Sequence, residues 1–419
     1  MSERTKKIIF LVFFISFTLG MAYFLYYMFT HRIGSTPAES PVSTETTLGG
    51  LPKSGAGGKR PPTIPSTQGS GTLPEGQGVS EGEIAIPETQ ISVETGTTLL
   101  RDAVTQHVSI APGNDQAARF YNPDDGRFYK INADGSTTPM GQKQFFNVQN
   151  VEWGKRTDQT IMQFPDGKNI YYDFTEKKQV PLPSHWQDFK FSDDDTHMVA
   201  KSVGADPENR FLIVSKPDGS EAKAVESLGE NQDKVESAWA PTGQIIAYAK
   251  TGEPQSGGRQ EIYLVGQNKE NYRSLTVEGQ GFLPNWSPTG KYVTFSVYAD
   301  SSQNKPSLWV TSGEAGTIGQ QRRKINLNTW ADKCAWDSDT ILYCGVPKDL
   351  PEFAGMDRDS YRTVPDEVYR VDLRSNISTK ISTDKQVRPM QNIVISGDKT
   401  KLLFTDVTNG KLYSYDVPK

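Results

Sequence analysis

Histidine and cysteine are scarce here: four and two residues in a chain of 419. That leaves little material for a His/Cys metal cluster and excludes a disulfide-dense miniature fold. Charge of one sign is also lacking. Charged residues make up 23% of the chain and the formal net charge is -5, so no basic surface large enough for nucleic acid, and no nucleic-acid partner, is expected. No G-x-S-x-G elbow, P-loop, H-E-x-x-H or EF-hand loop occurs, so no catalytic residue, metal ligand or cofactor is expected. What is plentiful is turn and strand material: 37 glycines, 26 prolines and 17 tyrosines. The length suits two or three domains of roughly 150 residues, or one repeat array.

One long hydrophobic run stands near the start. Ile8 to Thr30 reads IIFLVFFISFTLGMAYFLYYMFT, without a charge. As a helix it would be about 35 Å long, enough for a hydrocarbon core of about 30 Å. Arg4, Lys6 and Lys7 precede it and only Arg32 closely follows. The positive-inside rule then expects a cytoplasmic tail at 1–7, a single membrane span at 8–30 and everything later outside the cytoplasm. A cleaved signal peptide is the alternative, with Gly20-Met21-Ala22 as the cleavage site; the apolar run beyond it argues for an uncleaved anchor. No cysteine directly follows the run, which argues against a lipoprotein. Residues 31–96 are rich in Gly, Pro, Ser and Thr and read as a flexible tether, unable to bury enough apolar surface to offset its ordering entropy.

From residue 97 to the end one pattern recurs. A short strand ends in an aromatic or apolar residue, a Ser/Pro/Asp/Gly turn follows, then two more strands. The anchors fall at Ser109, Trp153, Phe191, Trp239, Trp286, Trp336 and Ile395, at spacings of 38 to 59 residues. Such periods, with several strands each, predict the blades of an all-β propeller. Seven blades are expected; because Ser109 and Ile395 lack the aromatic, six is the alternative. Thr97–Asp102 is expected to supply the missing outer strand of the last blade and so close the ring.

The Trp-Ser-Pro-Thr-Gly of 286–290 and the Trp-Ala-Pro-Thr-Gly of 239–243, each followed by an apolar strand and an Ile-Tyr-type strand, resemble TolB-like β-propeller repeats. The resemblance spans roughly 97–419 and implies the fold and an extracytoplasmic interaction role. It does not extend to the separate α/β domain of TolB or to membership of the Tol system.

Asp193, Asp194 and Asp195 with His197 could suggest a metal site, but aspartates in a blade turn serve side-chain-to-backbone bonds as readily. The repeating tryptophans read as core packing. Cys334 and Cys344 sit symmetrically about the turn 337–340, opposite each other on one hairpin, and an extracytoplasmic location would permit a disulfide.

For function, the expectation is a non-enzymatic binding module that docks a protein partner or an envelope component. The alternative is a propeller enzyme, lactonase-, sialidase- or lyase-like, acting on an extracellular carbohydrate or small molecule. Docking residues are sought on the face carrying the middle loops of the blades. The longest of these, 345–367 in blade six, is more than a connection needs. It carries Phe353, Met356, Arg358, Tyr361 and Arg362, types enriched in interface cores. Trp186, Phe282 and Trp330 are expected to join them from the inter-blade segments.

Overall fold

The computed structural model describes residues 17–21, 23, 93–94, 97–112, 116–132, 135–270, 272–382 and 387–417. The chain divides into two compact units, Met1–Leu48 and Gly49–Lys419. In the first, Phe17–Met21 and Tyr23 are helical. Among the described residues no helix is long and apolar enough to cross a membrane. The rest of the hydrophobic run at 8–30, and nearly all of the tether at 31–96, lie outside the described residues.

The second unit is a seven-bladed β-propeller. Five blades are meanders of four antiparallel strands in chain order, and blades IV and VII have five strands each. Blade VI is representative: Cys334–Trp336, Ile341–Pro347, Asp366–Asp372 and Ile377–Lys380. In blade IV the third strand, Arg259–Gly266, also pairs with Pro254–Gln255, so the middle loop there is an extended hairpin. Blade VII is built from both ends of the unit. Its first three strands are Met390–Ile395, Lys401–Asp406 and Lys411–Asp416, and its outer strand is Thr97–Val104, antiparallel to Lys411–Asp416. Val93–Glu94, inside the expected tether, adds a short fifth strand. This pairing of Thr97–Val104 with Lys411–Asp416 ties the two ends of the ring together.

The physical reason for the stacking is visible in single strands. Ile245–Ala249 is buried at every position, so both faces of the blade must be covered. Side chains alternate between the faces. In Met198–Val203, Met198 and Ala200 pack towards blade II while Val199 packs towards blade IV. Each hydrophobic core is therefore a layer between two blades. The layer between blades II and III holds Ile161, Trp186 and Phe189; that between IV and V holds Tyr248, Phe282 and Phe295. The layer between VII and I joins Leu100, Leu403 and Leu412 to Phe120, Tyr129 and Ile131.

Antiparallel topology fixes which loops share an end. Turns between first and second strands lie on one face. Middle loops and inter-blade connections lie on the other.

Candidate functional site

On the middle-loop face, the long loop of blade VI is braced at two places. Leu350 and Ala354 are buried against Trp330, with Tyr361 and Leu283 packed beside them. The Arg358 guanidinium lies over the Trp330 ring, 5.5 Å from its centroid, and pairs with Asp332 at 2.5 Å. The second brace is to blade V: the amides of Phe353 and Gly355 donate to the carbonyls of Gln303 (2.9 Å) and Asn304 (2.8 Å). Gly355 is required there, since a Cβ would sit 2.5 Å from Cβ of Tyr298. Held this way, the tip turns two large apolar side chains outward. Phe353 is 57% exposed and Met356 60%. Phe353 also has φ of +68°, a region costly for a bulky aromatic residue. Arg362, on the same loop, is also exposed and donates to Gln391 at 3.1 Å.

Three of the expected docking residues are corrected. Trp186 and Phe282 are 1% exposed and Trp330 is 6% exposed. Trp186 and Phe282 belong to the first strands Trp186–Phe191 and Gln280–Trp286, not to connectors, and the pleat turns them into the inter-blade layers. Trp330 is covered by the loop it was expected to accompany. Five residues of the set remain together on the loop: Phe353, Met356, Arg358, Tyr361 and Arg362.

Cys334 and Cys344 are cross-strand partners with Cα atoms 4.0 Å apart and are joined by a disulfide. Both are buried in the layer between blades V and VI.

The aspartates of 193–195 serve the turns. Asp194 accepts bonds from the hydroxyls of Ser192 and Thr196, and these hold its carboxyl down at about 2. Asp195 reaches into the neighbouring blade and accepts the amides of Lys155 (2.6 Å), Arg156 (2.7 Å) and Thr157 (2.8 Å). No group of three or more metal-ligating side chains occurs among the described residues.

At the opposite, first-turn face a groove of about 520 Å³ opens along the inner strands of blades II to V. Glu152, Asp188, Asp193 and Glu236 converge on it with Lys155 and Lys190. Glu152 pairs with Lys190 (2.7 Å), Asp188 accepts the Ser237 amide (2.7 Å) and faces Lys201 (3.4 Å), Asp193 pairs with Arg156, and Glu236 pairs with Lys250 (2.5 Å). Burial lowers the Lys155 ammonium, opposed by Asp193. Sequence spacing could not reveal this groove, because its residues come from four different repeats.

No family model matches the chain, and neither does any curated protein. Among solved structures it is similar to an oligogalacturonate lyase in complex with manganese: 12% identity, TM-score 0.52, covering 79% of this chain and 96% of that one. It is equally similar to the β-propeller domain of Cps50 (Swd1) from Myceliophteria thermophila: 11% identity, TM-score 0.52, covering 77% of this chain and all of that domain. A likeness to the oligogalacturonate lyase from Vibrio parahaemolyticus, at 11% identity and TM-score 0.49 over 79% and 96%, is too slight to argue from. One neighbour is an enzyme and one is a WD-type propeller, so these likenesses define the chain as a β-propeller and leave its activity open.

Proposed function

We propose that this chain is a membrane-tethered, extracytoplasmic β-propeller that acts as a non-enzymatic binding module. In this reading the run at 8–30 is the anchor, 31–96 the tether, and the propeller captures a protein partner of the cell envelope. Similarity to TolB-like repeats belongs to the same proposal, resting on the two Trp-x-Pro-Thr-Gly turns. The observation that carries it is the tip of the blade VI loop. Phe353 and Met356 are held outward by backbone bonds to blade V, in a strained conformation at Phe353, when the same loop buries Leu350 and Ala354 without difficulty. Rigid exposed apolar side chains on a loop that also carries arginines are what an interface core needs. The enzyme reading has less support, because the carboxylates of the channel groove are each engaged by a cation or an amide.

The test uses the full chain in its own membranes, with a photo-crosslinking residue at position 353. A discrete adduct that disappears when Met356→Ser and Arg362→Ala are added, with the unfolding midpoint unchanged, is the expected result. Adducts insensitive to those changes, or none, would remove the loop tip as the docking site.

A further inference from the structure

The groove on the first-turn face has an asymmetry that the blade VI docking surface does not explain. Polar side chains stitch most seams between blades beside the channel. Glu152 to Lys190 joins II to III (2.7 Å). Asp188 to the Ser237 amide (2.7 Å) and Lys201 to the Val235 carbonyl (3.0 Å) join III to IV. Asn285 donates to the carbonyls of Ala331 (2.9 Å) and Cys334 (2.8 Å) and joins V to VI. Asp366 accepts the Met390 amide (2.6 Å) and joins VI to VII. Between the inner strands of IV and V, no such well-formed bond occurs among the described residues. That seam instead gathers polar atoms without partners: the Ser237 hydroxyl, the Tyr248 hydroxyl and the Trp286 indole N–H. The indole lies near the Tyr248 hydroxyl and favours its ionised form slightly, but burial dominates and raises the phenol well above its usual value. Tyr248 is fully buried and Ser237 nearly so, yet both residues line the groove, as does Trp286.

A buried polar group without a partner costs on the order of 1–3 kcal/mol, and two hydroxyls and one indole N–H gather beside this one groove. We propose that the IV–V seam is a binding site for a neutral saccharide. Charge is not what is left over here, because the groove's acids are already engaged by cations or an amide. What is left over is neutral hydrogen-bonding capacity, which sugar hydroxyls satisfy directly or through one water. Next to it stand apolar surfaces from the two Trp-x-Pro-Thr-Gly turns: Trp239 and Pro241 from one, Trp286 and Pro288 from the other. The turns are in close contact, since a Cβ on Gly290 would lie 2.9 Å from Thr242 Cγ2. Indole and proline surfaces suit the C–H face of a pyranose. A peptide strand fits less well. The backbone edge it would pair with on blade IV is already taken, the Ser237 amide by Asp188 and the Val235 carbonyl by Lys201. A volume of about 520 Å³ lies within the usual range of small-ligand sites.

The test is titration of the purified full chain with maltose, cellobiose and N,N′-diacetylchitobiose, followed by tryptophan fluorescence and calorimetry. Galacturonic acid and the peptide Ala-Pro-Ala-Ala serve as charged and peptidic comparisons. At least one neutral disaccharide is expected to saturate below about 10 mM. Tyr248→Phe with Ser237→Ala should weaken it about tenfold, while Phe353→Ser leaves it unchanged. No saturation by any of the three sugars overturns the proposal, as does tighter binding of galacturonic acid or the peptide. Sugar binding that ignores the Tyr248 and Ser237 changes overturns the placement at this seam.

Discussion

Two seams of the same ring, III–IV and IV–V, are built from adjacent copies of one repeat and hold together differently. At III–IV a carboxylate and an ammonium from blade III engage the backbone edge of blade IV, above a core of Leu212, Val235, Trp239 and Ile246. At IV–V the apolar layer is more aromatic, with Tyr248, Phe282, Trp286 and Phe295, but the polar rim is left incomplete. Hydrophobic layers are thus sufficient to hold propeller blades together. The polar rim is a separate layer that can be closed for rigidity or left open for a ligand.

The comparison can be pushed hardest at the seam where it should matter most. Blade VII depends on Thr97–Val104, whose Leu100 also completes the layer against blade I. Deleting residues 93–104 should lower the melting temperature of the propeller more than any point change below; an unchanged melting temperature would mean that the ring does not need this strand. Next in size is Asp195→Ala. It removes a buried carboxylate and leaves three amides of blade II unpaired, at a cost of about 2–4 kcal/mol in chemical denaturation. A loss under half that would show the turn re-forming without its cap. Phe353→Gly should have a small effect of opposite sign. Relief of the left-handed φ at an exposed site should stabilise by up to about 1 kcal/mol while abolishing partner capture. Destabilisation would mean that the ring packs more than its exposure indicates.

Blade architecture was legible in the sequence because each repeat carries its own signal. The seven anchors fall at or just after the ends of first strands, and Ser307–Ser312 and Lys411–Asp416 lie where the repeat puts them. The closing strand was legible for the same reason, since a last repeat with three strands lacks an outer one. Docking residues were legible only in part. An extra-long loop announces itself, but whether a tryptophan beside it faces in or out depends on the pleat, and Trp186 and Phe282 proved to be strand residues facing inward. The groove was not legible at all. Asp188, Ser237, Tyr248 and Trp286 are unremarkable within their own repeats and meet only when the ring is formed.

The central claim, that the III–IV rim is closed and the IV–V rim open, is tested most directly by measuring Asp188→Ala and Tyr248→Phe side by side in urea, without ligand. Asp188→Ala should cost about 1.5–3 kcal/mol, because it orphans the Ser237 amide and takes the facing carboxylate from Lys201, which keeps its bond to the Val235 carbonyl. Tyr248→Phe should lie within about 0.5 kcal/mol of the parent or slightly above it, because its hydroxyl makes no well-formed bond to lose. Equal losses in the two variants would contradict the account, since they would show that the IV–V seam is stitched like its neighbour.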